Sequence, residues 1–130
     1  MLNKKGFTLV EIMIVVAIIA LLAAIAIPNL LRSKIAGNKA KAVSAIRMFS
    51  TASEAFSAVD NNGKYPLNMS SLTGSTPPYI NVDYCGQTIS GFVYVCTQKL
   101  SSYLFIAYPV SMGVSGITTY TMRTGGVLTP

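Results

Sequence analysis

The feature that most constrains this chain is an apolar run of membrane-spanning length close to its start. Residues Leu9 to Ile27 read LVEIMIVVAIIALLAAIAI, and Glu11 is the single ionisable side chain among them. A helix of about 20 apolar residues crosses the hydrocarbon core of a bilayer, so this run is long enough to span. Ahead of it lies a short basic stretch, Met1 to Gly6, which carries Lys4 and Lys5. By the positive-inside rule, these lysines predict a cytoplasmic N-terminus with the rest of the chain outside.

Beyond the run the chain changes character. Its 130 residues allow one small domain. A composition of 52% hydrophobic and 11% charged residues is apolar for a freely soluble domain. That excess is concentrated near the N-terminus, so the sequence reads as a greasy stalk joined to an ordinary polar head. No internal repeat or long low-complexity segment interrupts it.

An ordinary secretory signal competes for the same residues. Lysines, an apolar stretch and Ala24-Ile25-Ala26 together outline a leader cut after Ala26. Three features oppose it. The run exceeds the roughly 7–15 residues of a usual signal core. It also contains Glu11, and an ionisable side chain at the bilayer centre costs on the order of 2.5–3.5 kcal/mol. Finally, helical apolar periodicity continues past the supposed cut.

The stretch Gly6-Phe7-Thr8-Leu9-Val10-Glu11, followed by the apolar run and Pro28, resembles the N-terminus of type IV pilins and type II secretion pseudopilins. The strict match covers about Lys5 to Pro28, and the remainder matches in architecture only. The resemblance implies that a prepilin peptidase cuts after Gly6 on the cytoplasmic side. Phe7 then becomes the mature first residue and carries an N-methylated amine. It also implies that Glu11 pairs with the Phe7 amine of a neighbouring subunit and sets axial register, while apolar side chains supply cohesion. An intramolecular pair across one helical turn is the competing reading of Glu11. Buried ion pairs are better understood as devices for register than as net stabilisers.

Pro28 lacks a backbone donor and clashes with the preceding turn, which predicts a kink or local unwinding. With Gly37-Asn38 it flanks Arg32 and Lys34. This segment is expected either to bend within a packed filament or to mark the exit from the membrane. A second amphipathic helix is expected from Ile35 to Asp60. Ala42, Ile46, Phe49, Ala52, Phe56 and Val59 form its apolar stripe at spacings of three and four. As one continuous helix, Phe7 to Asp60 would measure roughly 80 Å. Asn61-Asn62-Gly63 ends it.

Three β-rich runs follow, Gly91 to Thr97, Tyr103 to Val110 and Ile117 to Arg123, and a last short strand is expected at Val127-Leu128. The fold class is α+β. A long N-terminal helix has its hydrophobic half protruding, while its C-terminal half packs on a small antiparallel sheet. Three segments result: a leader over 1–6, a transmembrane or filament-core helix over 7–34, and a globular head over 35–130.

Cys85 and Cys96 are the only cysteines, and an extracytoplasmic head favours pairing. Such a bridge is similar to the disulfide that holds a C-terminal loop in many pilins. Two buried thiols are the alternative. Catalysis finds no support. The chain has no histidine, and its acids are Glu11, Glu54, Asp60 and Asp83. Two cysteines lack the ligand set of a structural zinc site, and the C-terminal strands hold no acidic cluster for calcium. No cofactor or metal is expected.

The formal charge of +6 falls by two when Lys4 and Lys5 leave. Arg32, Lys34, Lys39 and Lys41 remain near the membrane-proximal part of the helix. Nucleic acid is a conceivable partner of such a surface, but no groove-reading motif accompanies it, and DNA binding is not predicted. The leading function is a major pilin, assembled as a homopolymer from the inner membrane into an extracellular pilus. Its partners would be membrane lipid before assembly, the peptidase and the assembly machinery. A pseudopilin of a short periplasmic pseudopilus is the alternative. A membrane-anchored periplasmic binding protein that never polymerises is the contender from another class.

Overall fold

The computed structural model describes residues 6–59 and 62–130. The leader lysines Lys4 and Lys5, and the expected helix end at Asp60-Asn61, lie outside the described residues. The chain divides into two compact units, Met1–Ser33 and Lys34–Pro130.

The long helix α1 runs from Leu9 to Val59 and contributes to both units. It is the single long helix of the expected α+β architecture, its amphipathic part continuous with the apolar one. One expectation is corrected: the backbone does not unwind at Pro28, which sits inside α1 with helical residues on either side. Proline removes one hydrogen bond there, but the Leu, Ile and Ala residues around it are good or tolerated helix formers. Just beyond, the Ser33 hydroxyl donates to the Asn29 carbonyl at 3.0 Å, a bond back to the preceding turn. Past Val59 the chain turns out of the helix through Asn62 and Gly63, both at positive φ, and the Gly63 N–H donates to the Ser57 carbonyl at 2.9 Å. That closure uses the left-handed conformation glycine adopts without penalty.

In the second unit, five strands form one antiparallel sheet in chain order. They are β1 (Thr88–Ile89), β2 (Phe92–Lys99), β3 (Ser102–Pro109), β4 (Tyr120–Arg123) and β5 (Val127–Thr129). β2 and β3 lie within two residues of the runs expected for them. The run expected from Ile117 pairs only from Tyr120, because the chain before it is held in a tight loop by its own hydrogen bonds. The two-residue β1 and the short helix α2 (Ser70–Thr73) were not foreseen.

Alternation on the strands builds the core. Phe92 and Tyr94 of β2, Tyr103, Phe105 and Ala107 of β3, and Tyr120 and Met122 of β4 are buried on one face, as period-two geometry requires. They share a single cluster with Ala42, Ala45, Ile46, Phe49 and Ala52 of α1, and with Leu72 of α2. Ala42, Ala45, Ala52 and Ser53 line the buried face of the helix. Phe49 occupies the centre, with edge-on contacts to Phe105 at 5.6 Å, Tyr84 at 6.0 Å and Tyr94 at 6.4 Å between ring centroids. Val59, expected on this stripe, is instead 74% exposed, at the last described position of the helix.

Phe49→Ala should therefore lower the unfolding free energy of the head by about 3–5 kcal/mol in denaturant titration. Val59→Ala should change it by less than about 0.5 kcal/mol.

Candidate processing and assembly site

Gly6 and Phe7 lie immediately ahead of α1, and both are exposed. A methyl group built on Gly6 would meet nothing within 4 Å, so no contact within this chain demands glycine there. Any such demand must come from a molecule that reads the segment. Phe7 is 85% exposed. In the full-length chain its nitrogen is a peptide N–H joined to Gly6, and an amine exists only after cleavage.

Glu11 closes a reciprocal cap on the first turn of α1. Its carboxylate accepts from the Thr8 backbone N–H and from the Thr8 hydroxyl, both at 2.7 Å. In return, the Glu11 N–H donates to the Thr8 hydroxyl oxygen at 3.2 Å. This Thr-x-x-Glu arrangement satisfies helix N–H groups that have no partner within the helix. Thr8 is a site residue that sequence reading missed, although the capping spacing was visible in Thr8-Leu9-Val10-Glu11. The cap also lowers the cost of carrying a carboxylate among apolar side chains, because its lone pairs are already engaged.

From Leu9 to Leu31 the large apolar side chains of α1 are exposed. Among the described residues this is the one helix long and apolar enough to cross a membrane, and its apolar window is entirely unburied. Pro28 lies within this surface. Arg32, Lys34, Lys39 and Lys41 follow along α1, all exposed.

Cys85 and Cys96 are joined by a disulfide, with Cα atoms 5.6 Å apart. The bridge ties the segment before β1 to the outer half of β2. Closing a loop of this size removes about 3 kcal/mol of chain entropy from the unfolded state in the standard treatment. Among the described residues, no group of three or more His, Cys, Asp or Glu side chains is placed to hold a metal ion.

A second carboxylate organises part of the head. Glu54 of α1 accepts from the Tyr103 hydroxyl at 2.7 Å, the Gly125 N–H at 3.0 Å and the Tyr65 hydroxyl at 3.0 Å. The Ser50 hydroxyl lies 2.7 Å from the Tyr103 hydroxyl, which also accepts from the Gly126 N–H. One acid thus fastens the β4–β5 turn and the chain after the helix to α1. Nothing in the sequence announced it, since Glu54 looks like any solvated helix residue. Burial raises the Tyr103 phenol above its ordinary value of 10.0; the Ser50 contact opposes this, and the bond to Glu54 adds to it. Burial and the bond to Glu54 raise Tyr65 in the same direction.

The arrangement places the chain in a class: an α+β head on a long helix with an uncovered apolar N-terminal surface and a glycine ahead of a capped glutamate. The chain belongs to the type IV pilin and pseudopilin family. A family profile described as the prokaryotic N-terminal methylation motif matches residues 1–27. The type IV wide pilus major component PilA4 of Thermus thermophilus is 33% identical over 113 residues, 84% of this chain and 85% of that protein. The type IV major pilin protein PilA of Myxococcus xanthus is 46% identical over 54 residues, 42% of this chain and 24% of that protein. The type II secretion system core protein G of Pectobacterium carotovorum is 41% identical over 64 residues, 49% of this chain and 40% of that protein. No solved structure matches the chain significantly.

The raised phenols have a signed consequence. A native state that holds the Tyr103 proton more tightly than the unfolded chain keeps that stability below about pH 10 and loses it as pH rises through the raised value. Denaturant midpoints should be level up to about pH 10 and fall above it. Tyr103→Phe should reduce that alkaline fall and cost about 1.5–3 kcal/mol at neutral pH, the worth of a hydrogen bond to a charged group.

Proposed function

We propose that this chain is the major structural subunit of an extracellular type IV pilus, polymerised from the inner membrane through α1. The observation that carries this reading is the near full-length likeness to a pilus major component, 85% of which the chain covers. The apolar surface from Leu9 to Leu31, uncovered within the chain, supplies the physical reason. Such a surface is stable in lipid or against other copies of itself, and passage from one to the other is assembly.

In this reading, a prepilin peptidase cuts after Gly6 on the cytoplasmic side and the Phe7 amine is methylated. The new amine competes with Thr8 for Glu11. While the subunit is in the membrane, the cap keeps Glu11 satisfied. In the filament, the amine of a neighbouring subunit offers a charged partner and sets register. Pro28, helical in the single chain, is the position where α1 would give way under packing or tension, because one helix hydrogen bond is already missing there.

A pseudopilus subunit of type II secretion is the second reading, favoured by the likeness to core protein G, which covers 49% of this chain. Shearing surface material from cells with native expression separates the two. A pilus subunit should appear in long filaments, as a chain beginning at Phe7 by mass spectrometry. Filaments seen only on overexpression would establish the pseudopilus, and a soluble chain beginning at Ile27 would overturn both readings.

Glu11→Ala tests the register step. It should insert as well as the parent or better. The ratio of filament-borne to membrane-borne subunit should drop roughly tenfold or more, since an unpaired buried charge costs about 3–5 kcal/mol. A parental ratio would leave hydrophobic packing as a sufficient cause of assembly.

A further inference from the structure

The loop between β3 and β4, residues 110–119, is built inside out for a water-facing segment. Val110, Met112, Val114 and Ile117 are all at least half exposed, with Met112 66% and Ile117 67%. Ser115, by contrast, is buried. The Ser111 N–H donates to the Ser115 hydroxyl oxygen, whose own proton goes to the Ser111 carbonyl, both at 3.0 Å. Backbone N–H groups of Gly113, Val114 and Ser115 are bonded to carbonyls within the loop, and the Val110 N–H to the Gly91 carbonyl. These bonds engage the N–H groups of Val110, Ser111, Gly113, Val114 and Ser115 within the protein, which lowers the cost of placing that part of the loop in an apolar phase.

The loop is also fixed in place. The Asn38 side chain of α1 donates to the Ser115 carbonyl at 2.9 Å. Gly91 packs beneath Ser115 so closely that an added Cβ would lie 2.6 Å from the Ser115 Cβ. Exposure here is therefore a property of an ordered surface.

Charge identifies the occupant. Exposed Lys34, Lys39 and Lys41 lie on α1 within one turn of Asn38, and the Lys39 ammonium sits 5.8 Å from the centroid of Tyr120 just after the loop. No aspartate or glutamate occurs between Glu11 and Glu54 or anywhere in 84–130. A second copy offers little to neutralise these cations. It has four Asp and Glu side chains, and of the three described ones Glu11 caps α1, Glu54 is bound by Tyr65, Tyr103 and Gly125, and Asp83 accepts from the Cys85 N–H. A bilayer with anionic phospholipid supplies both an apolar layer and negative headgroups.

We propose that the β3–β4 loop and the Lys34–Lys41 stretch form a lipid-seating surface, which holds the head against the anionic outer face of the membrane before assembly. The proposal rests on α1 being the membrane anchor.

The test uses the full chain in vesicles, with single cysteines carrying an environment-sensitive fluorophore at Ile19→Cys, Ile117→Cys and Leu100→Cys. The native cysteines are already bridged. Leu100 is exposed on the β2–β3 turn, beside Tyr65, which bonds Glu54. Nitroxide-labelled lipid should quench the labels at positions 19 and 117 but not at 100. Quenching at 117 should be greater in phosphatidylglycerol-containing vesicles than in pure phosphatidylcholine. Replacing Lys34, Lys39 and Lys41 together by Gln should remove that difference, each being worth about fivefold in seating on an anionic surface. No quenching at 19 would overturn the anchor reading and this proposal with it. Quenching at 19 but not at 117, equal quenching at 117 and 100, or indifference to lipid charge would overturn the proposal alone. A label at 117 shielded only in assembled filaments would also overturn it, and assign the surface to a neighbouring subunit.

Discussion

Everything in this protein depends on an apolar helix surface that its own chain does not cover. Burial of apolar area is worth about 25 cal/mol per Å², and the side chains from Leu9 to Leu31 are exposed. No arrangement of the head's own core, which is closed by α1 from Ala42 to Ala52, draws on them. The chain therefore carries two hydrophobic surfaces with different fates. One is satisfied by folding, and the other waits for lipid or for neighbours. Because they lie on the same helix, the second is delivered in a fixed state of secondary structure, with its backbone already hydrogen-bonded as a nonpolar phase demands.

Carboxylates in this molecule are few, and the described ones act as fasteners. Glu11 closes the first turn of α1, Glu54 gathers two tyrosines and the Gly125 N–H, and Asp83 holds the turn that leads into Cys85. The cations are left on the surface. Among the described residues, the lysines and arginines are exposed while Glu11, Glu54 and Asp83 are each engaged in hydrogen bonds within the chain. That division explains how the long helix between Glu11 and Glu54 can be wholly without negative charge.

Much of this architecture was legible because it rests on local pattern. The apolar run, the stripe from Ala42 to Phe56 and the strands around Phe92–Lys99 and Ser102–Pro109 all follow from periodicity. Elements that depend on tertiary partners were not legible. The β3–β4 segment has enough β-branched residues to suggest that Ile117 starts a strand, yet Ser111 and Ser115 bond each other and the strand begins at Tyr120. Val59 continues the helical spacing, but it is exposed at the last described position of the helix. The roles of Glu54 and Asn38 depend on Tyr103 and Ser115, 49 and 77 positions away, and spacing rules do not reach that far. Thr8 is different, since its capping spacing with Glu11 is local and is present in the sequence.

The strand order of the sheet has a kinetic consequence. Each strand pairs with the one that precedes it in the chain, from β1 through β5. Closing short loops in succession costs little entropy at each step, and topologies dominated by such contacts form quickly. Helix α1 comes first and supplies the surface on which the growing sheet settles. The head can thus lay down its strands in chain order, with no early strand waiting for a partner distant in sequence.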